Sequence, residues 1–308
     1  MKYITLNTGA NIPVIGLGTW RSNAGEVYQA IRWALKLGYK HFDCASIYNN
    51  QEEIGQAFTD AFREDNLKRE DIFVTSKLWN DSHHPQDVLP ELKQTLKELK
   101  LDYLDLWLMH WPIAQKKGTL LPQSDEDMIS LSELDLTITY KEMEKAQKQG
   151  LTKAIGVSNF GKKNLEHIIS ECDIIPAVNQ IESHPYLTQT DLIDFCRKNM
   201  ITVTAYSPLG SGVSSNNFDL LNDRTIINIA QKLNITPAQV LLSWQINRGV
   251  IVIPKSVKEQ HLKDNLKAIN IQLDNQDMQE IEALNKNHRY IDGSAFAYKD
   301  YTTDTIFA

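Results

Sequence analysis

Apolar positions along the 308-residue chain repeat with two periods that take turns. Short runs of apolar and β-favouring residues fall at 15–20, 41–43, 72–77, 104–110, 154–158, 177–180, 202–206 and 250–254. Between them lie stretches whose apolar residues return every three or four positions, at 25–37 (Val27, Ile31, Ala34, Leu35), 87–99 (Val88, Leu92, Leu96, Leu99), 162–171, 189–198, 224–233 and 258–268. A strand followed by a helix and then another strand returns to the same edge only by parallel pairing. Eight such strands in a chain of this length predict one (β/α)8 barrel, an α/β fold of the TIM type. The alternative, a doubly wound sheet, lacks its phosphate fingerprint, because Gly16-Leu17-Gly18 meets Arg21 where the third glycine belongs.

Three segments fall outside the alternation. Residues 3–6 and 12–14 flank the turn-rich Asn7-Thr8-Gly9-Ala10-Asn11 and predict a hairpin plugging the closed end of the barrel. Residues 237–247 predict an extra helix with Thr236 as N-cap and Pro237 in the first turn. After a last helix at 274–284, the aromatic-bearing tail 285–308 is expected to fold over the mouth. The chain therefore reads as one domain, 1–308, made of a hairpin (1–14), the barrel with its extra helices (15–284) and the tail.

A formal charge of -7 with no basic block leaves no electrostatic footprint for nucleic acid or an anionic membrane. No run is long enough for a membrane span and no signal peptide precedes the hairpin, so the expected setting is cytoplasmic. Cys44, Cys172 and Cys196 are odd in number and unpaired in spacing, as expected of reduced thiols. Monomer and homodimer stay open.

In a parallel barrel the C-terminal strand ends meet at one mouth, and Asp43, Lys77 and His110 each end a strand, with Tyr48 a few residues beyond. A tyrosine, with an ordinary pKa of about 10, suits protonation of a carbonyl oxygen that is becoming an alkoxide. Lys77 is the candidate for lowering that pKa, Asp43 for keeping the lysine charged, and His110 for orienting the carbonyl. A metal-dependent hydrolase would need clustered ligands at strand ends, whereas His83-His84 lies in a loop beside Pro85.

The segment from Gly38 through Asp43, Cys44, Ala45 and Tyr48 to Gly55 resembles the first signature of the aldo-keto reductase family, in its aldose/xylose reductase-like branch. Ser76-Lys77-Leu78-Trp79 and His110-Trp111-Pro112 are similar to the segments around its catalytic lysine and histidine. Ile155-Gly156-Val157-Ser158-Asn159-Phe160 resembles its second signature, and Ile253-Pro254-Lys255-Ser256 the start of its third. The resemblance spans the whole chain. It implies Tyr48 as general acid, with Asp43, Lys77 and His110 as its catalytic companions.

It also implies an extended nicotinamide cofactor. Ser158, Asn159 and Gln180 would bind the carboxamide, Tyr206 would stack on the ring, and Thr19, Trp20 and Asp43 would lie on the ribose side. Ser207, Leu209 and Ser211 would follow the pyrophosphate, and Lys255, Ser256, His261 and Asn265 the adenosine end. The family's arginine six residues after its lysine is replaced here by His261, which leaves NADPH expected and NADH as a second cofactor. The loop 212–219 is short beside the belt that closes over the cofactor in aldose reductases. Trp20, Ile47, Tyr48, Trp79, His110 and Trp111 would line the substrate pocket with the tail around 289–295. Ile47 stands where sugar-reducing relatives carry an acidic residue, which argues against a polyol specialist. The expected function is NAD(P)H-dependent reduction of aldehydes or aldoses to alcohols. The alternative is a nicotinamide-binding regulatory subunit.

Overall fold

The structure, a computed structural model, describes residues 1–210 and 218–308. The chain opens with an antiparallel hairpin of β1 (Tyr3–Thr5) and β2 (Asn11–Pro13). It then runs through β3 (Leu17–Gly18), α1 (Glu26–Leu37), β4 (His41–Asp43), α2 (Gln51–Glu64), β5 (Phe73–Leu78), α3 (Pro85–Leu99) and β6 (Leu106–Met109). A small hairpin of β7 (Ala114–Gln115) and β8 (Met128–Ile129) interrupts the alternation before α4 (Leu136–Lys148), β9 (Ile155–Ser158), α5 (Lys162–Glu171), β10 (Val178–Glu182), α6 (Thr190–Lys198) and β11 (Thr202–Tyr206). The remainder is α7 (Arg224–Leu233), α8 (Pro237–Asn247), β12 (Ile251–Val252), α9 (Glu259–Lys267), α10 (Asn275–Glu282) and α11 (Thr303–Ile306).

Eight strands pair in parallel in the order β3, β4, β5, β6, β9, β10, β11, β12. The two edges then meet: Ile15 bridges Val252, Gly18 bridges Lys255, and the Gly16 N–H donates to the Val252 carbonyl at 2.8 Å. The sheet is thereby closed, as the alternation predicts.

Successive strand residues point to opposite faces, and the apolar clusters divide accordingly. Phe73, Leu106, Leu108, Ala154, Val178 and Ile251 meet inside the barrel, where Leu6 and Ile12 of the hairpin join them. Their neighbours Val74, Trp107, Met109, Ile155 and Val252 face the helices in a second, larger cluster. The hairpin thus plugs the base, and Asn7 pins it by donating to the Pro176 carbonyl at 3.2 Å. Ile12, fully buried there, contributes about 1.5–3 kcal/mol of hydrophobic stabilisation.

Helix α8 is buried nearly all round, with Val240, Leu241 and Trp244 packed against α7 and α10. Two helices lie outside the periodic stretches named above. In α2, buried Gln51 and Asp60 break the apolar stripe, and Gly55 lies so close to α3 that a Cβ there would meet the Glu98 carbonyl oxygen at 2.3 Å. In α4, the β-branched run Thr137-Ile138-Thr139 and the buried Glu144 obscure the period. Strand β5 runs one residue beyond Lys77, because the His110 N–H donates to the Leu78 carbonyl at 3.1 Å.

Candidate active site

At the C-terminal mouth, strands β4 and β5 pair with Asp43 opposite Thr75, which sets Lys77 one pleat higher on the inward face. Lys77 is fully buried, and its ammonium donates to Asp43 Oδ1 at 2.5 Å, to the Cys44 carbonyl at 2.9 Å and to the Tyr48 hydroxyl at 3.4 Å. Asp43 Oδ2 accepts from Gln180 Nε2 at 2.6 Å, a bond that crosses the mouth from β10. Tyr48 sits in a helical turn, Ser46–Tyr48, just past β4. Its ring meets His110 edge-on, with centroids 5.9 Å apart, and Trp79 meets the other side of His110 at 5.1 Å. The four residues predicted from strand ends are therefore together.

Their electrostatics follow from burial. Burial opposes the charge on Lys77, but Asp43 and Tyr48 outweigh it and raise the pKa, so the ammonium persists. Burial also raises the Tyr48 pKa, with Lys77 pulling it down and Asp43 adding to the rise. The lysine was expected to bring the phenol below its ordinary value; half-buried among the side chains of the mouth, Tyr48 loses enough hydration that burial prevails and it holds its proton. Burial, reinforced by Lys77 and His83, keeps the His110 pKa well below the ordinary imidazole value, so the ring is neutral with a single N–H to donate.

A ring of amides and hydroxyls lies on the far wall. Ser158 Oγ donates to the Gln180 carbonyl at 2.8 Å, Asn159 Nδ2 to the His110 carbonyl at 2.9 Å, and the Tyr206 hydroxyl to Asn159 Oδ1 at 2.7 Å. Asn159 (φ 66°) and Ser207 (φ 48°) both take left-handed backbone directly after barrel strands, which turns the chain sharply at the mouth. Thr19 joins through its hydroxyl, which donates to the Asp43 carbonyl at 2.8 Å. Leu209 packs its side chain between two apolar clusters, and Ser211 lies outside the described residues, as does most of the loop 212–219. At the end of β12, Lys255 and His261 are exposed while Ser256 and Asn265 are buried.

The substrate side is walled by Trp79, Trp111 and Ile113, joined by Phe296, Tyr301 and Ile306 of the tail, with Ile47 and Phe307 packed against them. The tail does cover the mouth. Trp20 stands apart from this cluster, 37 % exposed, with the Arg21 guanidinium 4.2 Å from its ring centre. Contributors that escaped the sequence reading include Ile113, Tyr301 and Ile306 of this cluster; Phe296, 5.0 Å from Trp111 between ring centres; Phe307, 6.0 Å from it; and Leu120, whose carbonyl accepts the Trp79 indole N–H at 3.1 Å. The only signal for Phe296, Tyr301, Phe307 and Leu120 was aromatic content in an aperiodic tail and two adjacent leucines in a loop.

Residues 14–286 match the model of the Aldo/keto reductase family. The chain belongs to that family. It is 48% identical over 297 residues to aldo-keto reductase family 1 member A1 of Xenopus tropicalis, covering 94% of this chain and 91% of the relative. Against the Homo sapiens protein of the same name it is 43% identical over 294 residues, covering 94% and 90%. The solved structure of the aldose reductase from Schistosoma japonicum superposes with a TM-score of 0.91 at 41% identity, covering 98% of both chains. The protein is thus an oxidoreductase of a family that uses nicotinamide cofactors. The residues present suit such a group: Ser158, Asn159 and Gln180 offer both donors and acceptors for a carboxamide, beside the aromatic face of Tyr206. No helix among the described residues is long and apolar enough to cross a membrane.

Proposed function

We propose that this protein is an NADPH-dependent reductase of aldehydes, with aldoses such as xylose within its range and NADH as a second cofactor. When bound, the nicotinamide supplies the hydride. Ser158, Asn159 and Gln180 hold its carboxamide, Tyr206 covers its ring, and Thr19, Trp20 and Asp43 border the ribose. Ser207 and Leu209 would follow the pyrophosphate, and Lys255, Ser256, His261 and Asn265 would take the adenosine end.

Tyr48 is the general acid, and its hydroxyl proton goes to the carbonyl oxygen as that oxygen gains charge. Lys77 stabilises the phenolate left behind, and Asp43 keeps the lysine charged and fixed in place. His110 donates its N–H to the same carbonyl and orients it. Ile47, Trp79 and Trp111 wall the pocket and exclude water, which strengthens each of these interactions. The observation that carries this reading is the buried Lys77 ammonium within reach of both Asp43 Oδ1 and the Tyr48 hydroxyl. Three free cysteines support a reducing, cytoplasmic setting.

The test is a panel of aromatic aldehydes, aldoses and sugar phosphates with NADPH and NADH, followed by loss of nicotinamide absorbance. Tyr48→Phe should lower turnover by at least about 10²-fold while cofactor still quenches tryptophan fluorescence. Near-normal turnover in that variant would remove Tyr48 as the acid.

A further inference from the structure

Seven buried polar atoms that find no hydrogen-bond partner among the described residues belong to His110 and to two loops packed together beyond Trp79, whose ring meets that of His110. They are both side-chain atoms of Asn80, both ring nitrogens of His83, both amide atoms of Gln115, and His110 Nδ1 itself. All four side chains are deeply buried, Asn80 and His83 completely. The topology brings them together. Asn80 opens the helical turn Asn80–Ser82 that follows β5, His83 ends it, and β7, carrying Gln115, packs on that turn. Beyond β7, Lys117 donates to Ser82 Oγ at 2.6 Å and the Gly118 N–H to Asp81 Oδ2 at 2.9 Å, which ties the two loops together. His83 is close enough for its charge to act on His110.

A neutral imidazole has one donor and one acceptor nitrogen. For His110 to donate toward the mouth from Nε2, its Nδ1 must be the unprotonated nitrogen, and a donor supplied from behind would hold it so. The nearby donors on the mouth side are already engaged. Trp79 gives its indole N–H to the Leu120 carbonyl, and Lys77 gives its ammonium to Asp43, Cys44 and Tyr48. Asn80, His83 and Gln115 retain N–H groups with no partner, and leaving such groups unpaired costs about 1–3 kcal/mol each.

We propose that Asn80, His83 and Gln115 are positioning residues that supply the donor to His110 Nδ1 across a buried water, and so fix His110 as the Nε2–H tautomer. The His110 role rests on the function proposed above; the tautomer itself does not. Burial, only partly offset by Asp81, lowers the His83 pKa to about 3, so this group too is neutral and serves as donor and acceptor at once.

The test is ¹⁵N NMR of histidine-labelled protein, with the His110 signals assigned by their loss in His110→Gln. The wild type should show the Nε2–H tautomer. His83→Leu and Asn80→Leu should shift it toward Nδ1–H and lower kcat on an aldehyde by about tenfold, the order of one hydrogen bond. His83→Gln, which restores an N–H donor, should recover most of both. A wild-type Nδ1–H tautomer, or a tautomer and kcat unmoved in both leucine variants, would overturn the proposal. If the wild type reduces no aldehyde, the functional reading fails and the NMR measurement still decides the tautomer.

Discussion

Lys77→Met isolates the central electrostatic claim. The methionine fills the lysine's volume but removes the cation, and Asp43, 2 % exposed, then keeps Gln180 Nε2 as its remaining side-chain donor. Breaking a buried ion pair from one side costs about 3–5 kcal/mol, because the other charge stays behind without compensation. Asp43→Asn strands the Lys77 ammonium in the same way, with the Cys44 carbonyl and the Tyr48 hydroxyl left to it. The double variant holds neither charge, so its destabilisation should fall short of the sum of the single ones by about 1–3 kcal/mol. Urea unfolding of all four proteins at pH 7 measures that coupling, with equal m-values as the control. Additivity within about 0.5 kcal/mol would refute the pairing as the force that holds the two residues. Turnover should fall by at least about 10²-fold in each variant, since Tyr48 loses its charged neighbour or the group that fixes it.

Three further outcomes are expected. His261, exposed on α9, should when changed to Arg tighten NADPH far more than NADH in fluorescence titrations, because a guanidinium offers a fork to a phosphate; equal tightening would place it away from the phosphate. Gly161→Ala would put a Cβ 2.0 Å from the Phe307 carbonyl oxygen, so residues 303–308 should exchange amide hydrogens faster and the KM for aromatic aldehydes should rise, with unchanged exchange as the contrary result. His41, inside the barrel with Nε2 3.1 Å from Thr75 Oγ1, has its pKa lowered by burial to about 4. In the unfolded chain it titrates near about 6.5, so between those values the unfolded state binds the extra proton and stability falls on acidification by about 1.4 kcal/mol per pH unit. Above that window the contribution is constant. His41→Asn should flatten the stability profile in that range, and an unchanged slope would count against a neutral buried ring.

The barrel was legible because a parallel strand buried on both sides is a largely apolar or β-favouring run, and because Asp43, Lys77 and His110 stand at or next to the ends of such runs. What stayed illegible is tertiary in origin. The period of α2 is hidden by Gln51 and Asp60, which are buried yet satisfied, Gln51 by Glu98 at 2.8 Å and Asp60 by Tyr28 at 3.0 Å. Whether burial or Lys77 prevails at Tyr48 depends on how closely other atoms crowd it, which no spacing reveals. Phe296 and Phe307 belong to a tail without period, whose path is set by Glu182: that fully buried carboxylate accepts from the Tyr290 and Ile291 N–H groups at 2.7 and 2.9 Å.

The hydrogen bond from Gln180 to Asp43 joins residues 137 positions apart in sequence. It forms only when the strand carrying Gln180 has come round to face β4, after the intervening strands have paired. Contacts of such separation are slow to make, since the loop between them must be ordered first. A newly synthesised or refolding chain therefore completes the hydrogen bonding of Asp43 late, and a fragment containing either half alone cannot grip Asp43 from both sides. On the proposed function, recovery of turnover would serve as a clock for closure of the barrel.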